Sequence, residues 1–178
     1  NTIMIKNIVI IVFAFSCYNL HAADSLKNVE ANYIFYYKNI AAGKMVLKIN
    51  NEKNRITAST IYEGNLIASM FGKGTRTEVA HLEIHNSKIT PTNYSYKDNK
   101  SLYNIIFNDS GASVSSELKN FHLPSENIIY DPVSLLIVLM YSYPNFNKEY
   151  SVVSKKKLKE YSFAFKDNIE HIIGENKY

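Results

Sequence analysis

Beyond residue 28, hydrophobic and polar residues alternate with a period of two through most of the chain, the signature of half-buried β-strands. In "ANYIFYYK" the residues Ala31, Tyr33, Phe35 and Tyr37 fall on one face. In "KMVLKIN" Met45, Leu47 and Ile49 alternate with Lys44, Lys48 and Asn50. "NIAAGK" and "NNEKN" supply turns between these runs and "RITASTIY", so the chain is expected to open as an antiparallel meander. Strands are predicted again at "TRTEVAHLEIH", "KITPTNYSYK", "SLYNIIFN" and "ASVSSEL", separated by "NSK", "DNK" and "DSG". The tail adds "KEYSVVS", "KLKEYSFAF" and "NIEHII".

Two segments break the alternation. In "GNLIASMFGKG", residues 64–74, Leu66, Ile67, Met70 and Phe71 recur at helical spacing between glycines, which predicts one short helix or helical turn. "DPVSLLIVLM", residues 131–140, opens with Asp131 as a good N-cap and Pro132 at the first helical position, and Pro144 stops it. A helix of about eleven residues rises only about 16 Å, roughly half the hydrocarbon thickness of a bilayer, so a membrane span is excluded on length. It is apolar nearly all round and must be covered on most sides. A sheet that curls around it would do so, with the helix serving either as the plug of a dry core or as the wall of a pocket for an apolar ligand. The expected fold is mainly β: a curved antiparallel sheet or open β-barrel with one apolar helix and one short helical turn.

The start of the chain follows different rules. From Met4 it reads "MIKNIVIIVFAFSCYNLHAAD": one Lys, an apolar run from Ile8 to Phe15, then Ala22 and Ala23 before Asp24. This is the pattern of a secretory signal peptide, too short in its apolar core for a spanning helix. The reading is a signal peptide over 1–22, with Asn1, Thr2 and Ile3 as extra residues before the start, and a single mainly-β domain over 23–178. Cleavage after Ala22 or Ala23 yields a periplasmic product. The minority alternative is a lipoprotein anchored at Cys17, disfavoured because "AFS" before that cysteine lacks the bulky aliphatic residue such a site wants. Cys17 is the only cysteine, so after cleavage the core, not a disulfide, must supply stability. At the other end "NIEHII" is followed by "GENKY" alone; a strand, a glycine turn and nothing more leaves an edge unpaired. A C-terminal portion is therefore expected to be missing.

Composition narrows the function classes. The 178 residues, 46% of them hydrophobic, suffice for one real core. The net charge of +4 comes from 20 basic and 16 acidic residues, and the only arginines are Arg55 and Arg76. So small and scattered an excess is not a nucleic-acid footprint.

Five segments in fixed order resemble the bacterial exported family catalogued as domain of unknown function 3108: "YIFYYKNIAAGKMVLKI", "EGNLIASMFGKGTRTEVAHLEI", "KITPTNYSY", "DPVSLLIVLM" and "YSVVSKKKLKEYSFAF". Together they are spread over most of the chain after residue 23, from residue 33 to residue 165. The resemblance implies a periplasmic or envelope protein of Gram-negative bacteria, with no reaction, cofactor or catalytic residue to carry over. The family continues with further strands past "NIEHII", and this chain departs from it by ending early.

Chemistry-bearing constellations are sparse. His81, Glu83 and His85 in "HLEIH" share a strand face at steps of about 7 Å, too spread to hold one ion easily, and read as a solvated face. His122 and His171 look isolated. There is no G-x-S-x-G elbow, and Asp131 reads as a cap rather than a general acid or base. Arg76 and Glu78 in "TRTE" share a face as a surface ion pair worth at most about 1 kcal/mol. "KKKLK", residues 155–159, reads as a solvated turn with anionic lipid as the alternative partner. What remains is a non-enzymatic envelope protein without cofactor or metal. It is expected to bind a hydrophobic or lipid ligand through Tyr33, Phe35, Tyr37, Leu47, Leu136 and Met140, the rival being a protein-interaction or envelope-assembly factor with a solid core.

Overall fold

The computed structural model describes residues 28–37, 40–65, 74–142, 148–154, 157–163, 172–173 and 176–177. Strands β1 (Val29–Tyr37), β2 (Ile40–Glu52), β3 (Arg55–Gly64), β4 (Arg76–His85), β5 (Lys88–Asp98), β6 (Leu102–Asn108), β7 (Gly111–Ser116) and β8 (Asn120–Pro124) form one eight-stranded antiparallel sheet. Every neighbour in space is a neighbour in sequence, and among the described residues no pairing joins β1 to β8. After β9 (Ile129–Tyr130) comes the helix α1 (Pro132–Ser142), then β10 (Lys148–Ser154) and β11 (Lys157–Phe163). β10 pairs parallel with β9 and antiparallel with β11 in a second sheet. β12 (Ile172–Ile173) pairs with β13 (Asn176–Lys177).

The mainly-β, antiparallel reading with an apolar helix after Asp131 matches this architecture; several boundaries differ. β2 begins at Ile40 and runs to Glu52, so most of "NIAAGK" and "NNEKN" lies in strand, and the second turn narrows to Lys53 and Asn54, with Lys53 at φ 58°. β8 and β9 carry no alternation long enough to predict. β8 sits at the edge of its sheet, where Pro124 and its missing N–H are tolerated. The β4–β5 turn is made by Asn86 (φ 48°) and Ser87 (φ 63°), both left-handed as a two-residue hairpin requires. Ala22, Ala23, Cys17, the interior of "GNLIASMFGKG" (66–73), His171 and the side chain of Tyr37 lie outside the described residues. No helix among the described residues is long and apolar enough to cross a membrane.

Gly111 opens β7 at φ 130°, and a Cβ there would sit 2.0 Å from the backbone oxygen of Leu123 on β8. Gly111→Ala is therefore expected to cost about 2 kcal/mol or more, through backbone strain and a displaced β8. Urea unfolding measures this, and an unchanged midpoint would show that the edge strand simply shifts.

The cross-strand register gathers the core into rows. Val29, Ile49, Ala58, Ala80, Tyr94, Ile105, Val114 and Phe121 oppose one another across all eight strands. α1 lies across β3 and β4 on this face and also meets β9 and β10. The cap forms as expected: the amides of Val133 and Ser134 each donate to Asp131 Oδ1 at 2.9 Å, and the Ser134 hydroxyl donates to Oδ2. Val133, Leu135, Ile137 and Val138 are buried, whereas Leu136, Leu139 and Met140 pack against the core but stay half-exposed.

Candidate functional site

Two rows beside the aliphatic one change character. The first reads Ala31, Leu47, Thr60, Glu78, Tyr96, Tyr103; the second, nearer the end of the sheet that the β3–β4 connection closes, reads Tyr33, Met45, Tyr62, Arg76, Asp98. One end of the core face is thus aromatic and polar while the middle is aliphatic.

The polar residues there are linked. Arg76 Nε lies 3.0 Å from Glu78 Oε1, close but off the N–H direction, and Tyr94 Oη donates to Glu78 Oε2 at 3.1 Å. Tyr103 packs against Tyr94 with ring centroids 6.0 Å apart and stacks on Tyr96 at 4.7 Å. Tyr96 Oη donates to Asp98 Oδ2 at 2.6 Å. Burial, reinforced by the Glu78 charge, drives the Tyr94 phenol far above its ordinary value; burial and the bond to Asp98 do the same for Tyr96. Both phenols therefore stay protonated and neutral. Glu78 is 6% exposed, so the "TRTE" pair forms but belongs to the core, and its reading as a surface feature is corrected.

An aromatic strip runs out from this cluster. The Arg76 guanidinium carbon sits 4.9 Å from the centroid of Tyr62, and Tyr62 meets Phe35 at 5.1 Å. Tyr33 and Phe35 are half-buried on the core face of β1, Leu47 is 1% exposed beneath them, and Tyr33, Leu136 and Met140 pack against the same core as Leu47. Tyr37 belongs to β1 by its backbone. None of the expected ligand residues Tyr33, Phe35, Leu47, Leu136 and Met140 lines the 650 Å³ crevice between the β4–β5 turn, α1 and the β10–β11 pair, whose walls include Tyr130, Tyr141, Tyr150, Lys88, Glu149 and Glu160.

The sequence missed the network around Glu78, although Arg76 and Glu78 share parity with the apolar Ala80 and Leu82 and so had to face inward with them. His122, read as isolated, is paired: its Nε2 faces the Ser110 carbonyl at 3.2 Å and must donate to it, leaving Nδ1 to accept from Ser113 Oγ at 3.1 Å. That bond lies on the exposed side of β7 and β8. His81 and His85 are also exposed, engaged by Thr57 (3.2 Å) and Glu83 (3.1 Å), and among the described residues no cluster of three metal-ligating side chains occurs. Comparison with protein-family models, curated proteins and solved structures finds no match to this chain.

Proposed function

We propose that this chain is an exported, non-enzymatic envelope protein that holds a hydrophobic or lipid ligand on half-open apolar side chains of the core face, Ala31, Tyr33 and Phe35 of β1 and Leu136, Leu139 and Met140 of α1. The observation that carries the reading is that these residues stay partly exposed while the opposite side of α1 is shut. Apolar side chains left half-open beside a completed core mark a place where another apolar body lies. In this reading the sheet curls around α1 and leaves its β1 side open. Export rests on "IVIIVFAF" before "LHAAD", with processing after Ala22 or Ala23 and a periplasmic product; the resemblance to an exported envelope family points the same way.

The test is native mass spectrometry of protein taken from the periplasm without delipidation, combined with Leu136→Ala and Met140→Ala variants. A copurifying lipid is expected. Each truncation should cost well under the 2–5 kcal/mol of a sealed core position while weakening the binding of an apolar dye. A full-size stability loss in a parent protein that carries no lipid and binds no dye overturns the reading. It leaves the second one, an assembly factor with a solid core, which the near-complete burial of Leu47 and Ile137 favours.

A further inference from the structure

Arg76 ends the aromatic strip in an arrangement that a purely structural ion pair does not require. It is the only arginine on the core face, since Arg55 lies 82% exposed beside Glu83. Its side chain is 40% exposed even though its partner Glu78 is buried. Glu78 approaches Nε, which leaves the two terminal amino groups without a hydrogen bond to any described residue. The guanidinium carbon lies over the Tyr62 ring, and Tyr62 continues into Phe35. The second carboxylate at this end, Asp98, already accepts from Tyr96 Oη at 2.6 Å and from the Lys100 amide at 2.8 Å. Two of its acceptor positions are therefore filled without the guanidinium. An arginine held beside a carboxylate at its Nε side, with no hydrogen bond from its terminal amino groups to a described residue, can offer that fork to two oxygens of an acidic group in a bidentate pair.

Resting on the apolar-ligand reading above, we propose that the ligand is a single-chain amphiphile with a terminal acidic group, a carboxylate or a phosphate monoester. Its oxygens meet the terminal amino groups of Arg76, and its chain lies along Tyr62, Phe35, Tyr33 and Met45. Glu78 and Tyr94 are positioning residues: the carboxylate holds the guanidinium through its charge, and the Tyr94 hydroxyl anchors the carboxylate.

The experiment measures displacement of an apolar dye from the purified protein by three ligands: palmitic acid, hexadecanol and palmitoyl lysophosphatidic acid. At least one acid is expected to bind about 10- to 100-fold more tightly than the alcohol, the range that a charge-assisted bidentate pair supplies. The tighter of the two acids identifies the head group. The paired variant Arg76→Gln with Glu78→Gln removes both charges together, so no buried carboxylate is stranded. In it the acid should lose its advantage over the alcohol, a ratio that does not depend on how much of the variant is folded. Equal affinities for acid and alcohol in the parent protein, or a preference that survives in the paired variant, overturn this inference and leave the apolar-ligand reading standing. If acid and alcohol both fail to displace the dye, both readings fall.

Discussion

Arg76→Ala is expected to lower the stability of the fold by about 3 kcal/mol, measured by urea unfolding at neutral pH. The cause is what the substitution leaves behind. Glu78 is buried on the face that carries Ala80 and Leu82, and without the guanidinium its carboxylate keeps, among the described residues, the hydrogen bond from the Tyr94 hydroxyl. Stranding a buried charge in this way typically costs 3–5 kcal/mol, and the low end applies because Arg76 is itself partly exposed. The pair need not be worth that much. Removing both charges together, in Arg76→Gln with Glu78→Gln, is expected to cost clearly less than Arg76→Ala, because no uncompensated ion remains. If the single and paired variants lose the same stability, the charges do not act through each other, and the cluster is held by its tyrosines.

The strands were legible because period-two alternation survives wherever one face is buried. Met45, Leu47 and Ile49 on β2 and Tyr94 and Tyr96 on β5 all point inward as their parity demands. The helix was legible for a different reason, a local one: Asp131 and Pro132 carry start chemistry that needs no tertiary partner. β8 and β9 were not legible, since five residues ending in proline and a two-residue strand are held by neighbours rather than by their own pattern. The candidate site was half legible. That Arg76 and Glu78 share a face follows from their spacing, and that the face is internal follows from Ala80 and Leu82. That Tyr94 reaches Glu78 depends on the β4–β5 register, where the shift between His81 and Leu82 changes which residues oppose one another. No pattern along one strand contains that information. The exposed stripe of α1 was hidden as well, because a helix apolar on every side gives no sign of which side the sheet will cover.

Asp131 should make the fold more stable in mild acid, against the usual direction for a capping carboxylate. The residue is 0% exposed, and burial pushes its carboxyl up from the ordinary 3.8 to about 6, outweighing the bonds from Ser134 and Val133 that favour the ion. A folded-state value above the unfolded one means that the native protein holds this proton more tightly. The contribution of Asp131 to stability therefore rises as pH falls through about 6 and is complete below about 4; above 6 the ionised group is a burden. The size is on the order of 3 kcal/mol, from two pKa units at about 1.4 kcal/mol each. Asp131→Asn isolates the effect, because asparagine caps a helix about as well and cannot ionise. Relative to the parent, this variant is expected to be more stable at pH 8 and about equal at pH 4, so the difference between the two proteins, measured by urea unfolding across that range, should close as the pH drops. A difference that stays constant from pH 8 to pH 4 would show that the carboxyl titrates normally, and that the cap bonds rather than burial govern it.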